Sequence, residues 1–178
     1  IYYMFRNNLI FILLFSFNYV FASLVLPEDQ SNLNYVHVMF EWEQEIDAVS
    51  YNFQLSSDNL FSNILVDIID ESLIYIDTAS INWDSTYYWR VYPVYSDNSQ
   101  GEIINTFTFS TGSTRSEAYS INTNDNFYQE GVTIFSSFFN YYSAMIDKNG
   151  NEIWNTSDND IVYYNTNYYG KLFGCYVD

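Results

Sequence analysis

Two short runs carry side chains that could hold a ligand. In AVSYNFQLS, residues 48–56, alternate positions give Ser50, Asn52 and Gln54, and in TYYWRVY, residues 86–92, they give Tyr88, Arg90 and Tyr92. Side chains two apart in an extended strand share a face, so each run presents one row. If the two strands are sheet neighbours, the rows join into a flat strip of amides, aromatic rings and one guanidinium. Such strips can stack on sugar rings, so glycan recognition is the chemistry it offers. Exposed Tyr and Arg are also good strand formers and need no ligand.

Catalytic chemistry has less to work with. His37 is the only histidine, so no Ser-His-Asp or Cys-His arrangement with a second histidine in reserve can be built. Alternation in YVHVMFEWE, residues 35–43, puts Val36, Val38, Phe40 and Trp42 on one face and turns His37 away from it, as a solvated strand histidine. Cys175 is single and has no Cys/His spacing that suits zinc; in an exported chain it is a free thiol or lacks its partner, and otherwise reads as a buried small hydrophobe. Asp147 heads Asp-Lys-Asn-Gly, where a side-chain-to-backbone turn bond is the expected role, and Asn149-Gly150 favours a tight hairpin. Asn155-Thr156-Ser157 is an N-x-S sequon.

Charge narrows the partners. With 22 Asp and Glu against five Lys and Arg the net charge is −17, which excludes a phosphate-binding surface and hence a nucleic-acid partner. The carboxylates are scattered through loops without a complete D-x-[DN]-x-[DN]-G pattern, so no metal site is assigned and calcium is the one cofactor left open.

The elements that must position these residues are strands. Short alternating runs separated by Asn, Asp, Ser and Gly clusters, with no sustained helical period, point to an all-β chain. Strands are expected at residues 24–26, 35–43, 48–56, 64–68, 73–77, 86–95 and 102–111, seven in under a hundred residues, which suits a sandwich. Core positions are Trp42 in the second strand, Val49, Tyr51, Phe53 and Leu55 in the third, and Tyr87, Trp89 and Val91 in the sixth, with Ser50, Asn52 and Gln54 facing out. Ahead of them Arg6, the apolar run from Leu9 to Phe17 and Val20-Phe21-Ala22 read as a secretory signal, residues 1–23, with cleavage after Ala22. Export is therefore expected, to the cell surface, periplasm or medium, with the membrane touched only through that segment. The chain also reads as a fragment at both ends.

The stretch Ile81-Asn82-Trp83-Asp84-Ser85-Thr86-Tyr87, with Trp42, Tyr51 and Val91, resembles the fibronectin type III sandwich of secreted bacterial proteins over residues 26–111. The resemblance implies that the Tyr87 hydroxyl bonds backbone upstream as a tyrosine corner. Trp83 stands for the family's usual proline, and Asp84-Ser85 for its glycine-threonine. After a polar linker, residues 113–130, Gly131, Thr133-Ile134-Phe135, Ile146-Asp147, Asn149-Gly150 and Trp154 resemble the entry to arylsulfotransferase-like β-propellers. That implies an incomplete antiparallel meander, residues 131–178, resembling a first blade. None of that family's catalytic positions falls inside this sequence, so the resemblance transfers no catalytic residue.

Two functional readings follow. One is a non-catalytic accessory or spacer sandwich of an exported multidomain protein, partnered by other domains of its own chain, with a propeller enzyme downstream. The other is an extracellular adhesion module that binds cell-surface glycans or proteins through Tyr88, Arg90, Tyr92, Asn52 and Gln54.

Overall fold

The computed structural model describes residues 22–117 and 131–177, and every regular element among them is a strand. Residues 1–21 of the expected signal segment and residues 118–130 of the expected linker lie outside the described residues.

The first eight strands are β1 (Leu24–Leu26), β2 (Ser31–Leu33), β3 (Val38–Trp42), β4 (Ala48–Ser56), β5 (Ile64–Asp70), β6 (Ile74–Asp77), β7 (Thr86–Tyr95) and β8 (Asn105–Thr111). They form a three-stranded sheet, order β1-β3-β6, and a five-stranded sheet, order β2-β8-β7-β4-β5. The sheets meet through aromatic side chains. Phe40 of β3 lies 4.9 Å from Phe53, 5.2 Å from Trp89 and 5.8 Å from Phe109, three rings of the opposite sheet. An all-β, sandwich-like arrangement is the result.

Period-two alternation explains the core. Val38, Phe40 and Trp42, then Tyr51, Phe53 and Leu55, then Tyr87, Trp89 and Val91 are all buried. Each large apolar side chain contributes roughly 1.5–3 kcal/mol on burial, and a one-residue slip in β7 would expose three of them together. The pairs Phe53↔Val91 and Leu55↔Trp89 fix the β4-β7 register. The indole N–H groups of Trp42 and Trp89 find no hydrogen-bond acceptor in this interior; Trp42 meets Tyr51 and Trp89 meets Phe40 and Phe107 edge to face.

Four sequence expectations need correction. An eighth strand, β2, pairs parallel with β8; its SNL sequence carries one buried side chain, Leu33, so alternation could not reveal it. Val49 is 52% exposed, because the β4-β7 register shifts between Ala48 and Ser50 and that irregularity turns the residue outward. Asn52 is 7% exposed, since β5 runs beside β4 and the Asp67 carboxylate accepts its amide at 2.7 Å. Cys175 is an exposed free thiol, because its strand is covered by no further element among the described residues.

The turn into β7 shows how local chemistry sets a corner. The Asn82 N–H donates to the Tyr87 hydroxyl at 2.8 Å, and the Thr111 hydroxyl donates to the Asn82 carbonyl at 2.7 Å. Asp84, where the resembled family has glycine, takes φ 54°, a left-handed conformation that Asp tolerates better than most residues.

Five more strands follow: β9 (Thr133–Ser137), β10 (Tyr142–Ile146), β11 (Glu152–Asn155), β12 (Ile161–Thr166) and β13 (Leu172–Tyr176). The first three form an antiparallel meander, and β12-β13 is a separate hairpin. Between β10 and β11 the chain reverses through Gly150 at φ 88°. Ser143, fully buried, ties the hairpin to the meander, its hydroxyl donating to the Ile161 carbonyl at 2.8 Å and accepting from the Tyr163 N–H at 2.7 Å.

Candidate functional site

The strip on the outer face of the five-stranded sheet is brought together. In the β4-β7 pairing Asn52 lies opposite Tyr92, Gln54 opposite Arg90 and Ser56 opposite Tyr88. Its polar groups, however, satisfy one another. The Arg90 guanidinium donates to the Gln54 carbonyl oxygen at 2.8 Å, lies 3.8 Å from the centroid of Phe61 and 5.2 Å from that of Tyr92. Asn52 and Gln54 both donate to Asp67, at 2.7 and 3.1 Å. Phe61, in the loop after β4, is the member that alternation could not supply, because it arrives from outside both strands. Tyr88, Arg90, Gln54 and Tyr92 are consequently half-buried rather than open. Cation–π contacts at such sites contribute about 0.5–2 kcal/mol, so Arg90→Ala is expected to lower stability by about 1 kcal/mol, measured by urea denaturation.

A second constellation lies where the meander meets the sandwich. Tyr35 and Trp154 form an antiparallel bridge, the Val36 N–H donates to the Ile153 carbonyl at 3.0 Å, and the Asn155 N–H donates to the Asn34 carbonyl at 3.0 Å. Ile153 is part of the same buried cluster as Leu33, Val36 and Ile81. Trp83 donates its indole N–H to the Glu152 carbonyl at 2.7 Å. The residue that departed from the family pattern is thus a mount for the following strands.

Glu152 organises this junction. It is 7% exposed, and its carboxylate accepts from the backbone N–H of Arg115 at 3.0 Å, the N–H of Ser116 at 2.7 Å, the Ser116 hydroxyl and the Asn155 amide at 2.6 Å. A buried carboxylate needs such donors, since leaving it unpaired costs several kcal/mol. Arg115 donates to the Ser157 carbonyl and sits 4.9 Å from the Tyr142 ring centroid. The opening residues of the expected linker are therefore clamped. Asn155 of the sequon is 1% exposed, and its amide is held by Ser113 and Glu152. Sequence reasoning missed Glu152 and Arg115; the only signal was an isolated aromatic, Trp83, in a turn where the resembled family has proline.

Beside the junction lies a cleft of about 380 Å³. His37 and Val36 enter it from the segment before β3, Asn82 and Trp83 from the corner before β7, and Asp147 and Asn151 from the β10-β11 turn. Asp147 caps that turn, accepting the N–H groups of Asn149 and Asn151, each at 2.8 Å, and the Asn151 amide at 2.9 Å. Among the described residues no group of three His, Cys, Asp or Glu side chains could hold a metal ion.

Three loop carboxylates have pKa values held below the ordinary range by hydrogen bonds. Burial pushes the Asp147 carboxyl up, but the Asn151 side chain and the N–H groups of Asn151 and Asn149 outweigh it and leave the pKa lowered. Asp58 is lowered by the N–H groups of Asn63, Ser62 and Leu60 with the Ser56 hydroxyl, and Asp97 by the hydroxyl and N–H of Ser99. A carboxyl with a depressed folded pKa adds stability that is complete above its unfolded value, about 3.9, and is lost as pH falls through the folded value. The melting temperature should thus hold level from neutrality to about pH 5 and drop below about pH 4. Asp58→Asn is expected to make that acid limb shallower.

No protein-family model matches the chain, and no curated protein matches it. Among solved structures, a β-1,2-glucanase from Parabacteroides distasonis is similar over 52% of this chain, with 17% identity and a TM-score of 0.40. The similar stretch makes up 12% of the glucanase chain, and at this level it assigns neither a fold nor an activity.

Proposed function

We propose that the chain is the non-catalytic N-terminal part of an exported, multidomain bacterial protein: a fibronectin type III-like sandwich mounted on the first blade of an arylsulfotransferase-like propeller. The observation that carries this reading is the junction, where a strand bridge, a shared apolar cluster and the buried Glu152 carboxylate seat the sandwich on the meander. A spacer that sets the direction of a following domain needs such a fixed seat, whereas a tethered binding module does not. The strand orders β1-β3-β6 and β2-β8-β7-β4-β5, the Asn82 to Tyr87 hydroxyl bond and the β9-β10-β11 meander support the same reading. So does β13, whose Leu172, Phe173 and Tyr176 are exposed and suit cover by further strands of the same chain.

The test is the reading frame past Asp178. It is expected to encode strand repeats about 40–50 residues apart, with the histidine that the propeller resemblance implies. A continuation without that period sinks the proposal. The export half is checked separately, by N-terminal sequencing of the secreted product, which should begin at Ser23.

A further inference from the structure

We infer that the cleft between the sandwich and the β10-β11 turn is a binding site for a neutral saccharide, independent of the spacer reading and of the strip on β4 and β7. Sites of this kind occur preferentially where two structural units meet, and begin at about 300 Å³; this cleft holds about 380 Å³. Half-buried Trp83 is among its lining residues, and its indole is tied by a hydrogen bond to the Glu152 carbonyl at 2.7 Å. A pinned aromatic face loses little freedom when a sugar ring stacks on it. The exposed residues His37, Asn82 and Asn151 line the same space, offering an imidazole and amide groups rather than one concentrated charge.

The charge pattern selects the class of ligand. The cleft is lined by two carboxylates and by no lysine or arginine, so phosphate, sulfate and carboxylate ligands are repelled. A cationic ligand gains little either, because Glu152 is buried under four donors and Asp147 already accepts three hydrogen bonds. What remains favourable is a neutral molecule with an apolar ring face and many hydroxyls. The strip lacks this opening, since Arg90, Gln54 and Asn52 are already bonded to one another's neighbours.

The experiment is a titration of the full chain, followed by amide and indole chemical shifts, with cellobiose, maltose and lactose as neutral probes and glucose 6-phosphate as the charged one. At least one neutral disaccharide is expected to saturate at about 1–10 mM, with shifts confined to His37, residues 78–83, the Trp83 indole and residues 147–153. Glucose 6-phosphate should bind at least about fivefold more weakly. Trp83→Ala should abolish binding; because it also removes a junction bond, His37→Ala, which changes an exposed side chain, is the companion variant and should weaken binding about tenfold at an unchanged melting temperature. No shifts with any neutral probe at about 50 mM, shifts centred on Tyr88 and Tyr92, equal binding of the phosphate, or full affinity in the His37 variant would each overturn the inference.

Discussion

Phe40→Ala is expected to lower the unfolding free energy by about 3–5 kcal/mol, the range for deleting a fully buried aromatic side chain. Phe40 is 0% exposed and its ring touches Phe53, Trp89 and Phe109, so its removal opens a cavity between the two sheets that no single neighbour can fill. Against a typical total of about 5–15 kcal/mol, this variant should unfold at markedly lower urea concentration or not accumulate at all. Phe40→Leu, which keeps most of the volume, should lose about half as much. If Phe40→Ala shifted the urea midpoint no more than an exposed substitution such as Met39→Ala, the two sheets would not be joined through this ring.

Glu152→Ala should produce the second largest effect, with a different signature. Four donors, the N–H groups of Arg115 and Ser116, the Ser116 hydroxyl and the Asn155 amide, lose their acceptor together. A buried donor left unpaired costs about 1–3 kcal/mol, and water entering the opened junction offsets part of the sum, so the expected loss is about 3 kcal/mol. The effect should be local. Hydrogen exchange at the Val36 and Asn155 amides, which bond across the junction, should quicken, while the Trp89 and Val91 amides in the centre of the five-stranded sheet stay protected. Glu152→Gln keeps one oxygen acceptor and should fall between the two. Equal quickening at all four amides would mean that Glu152 supports the whole fold rather than the seating of one part on the other.

These two sites differ in how far the sequence foretold them. Phe40 was legible because alternation within one strand is a local property: once residues 35–43 are extended, Val36, Val38, Phe40 and Trp42 must share a side. The same rule placed Tyr87, Trp89 and Val91 inside and Gln54 and Arg90 each on the outer row of its strand. It failed at Val49, where the ladder shifts register, and at β2, which is too short to alternate. Glu152 was not legible, because one glutamate at the start of a strand carries no period, and three of its four donors come from Arg115 and Ser116, 36–37 positions earlier.

By itself, then, the sequence determined the all-β character, the buried row of β3 and of β7, the turn at Asp147 to Gly150 and the acidity of the chain. Each follows from residues next to one another or from a sum over the whole chain. Only the tertiary structure decided that Asn52 is covered by Asp67, that Phe61 closes over Arg90, that Trp83 and Glu152 join the sandwich to the meander, and that solvent-exposed His37 borders the same cleft as Asp147. The physical reason is common to all four: each depends on a partner distant in sequence, brought close by burial of the apolar faces, and no local pattern records which distant groups will meet.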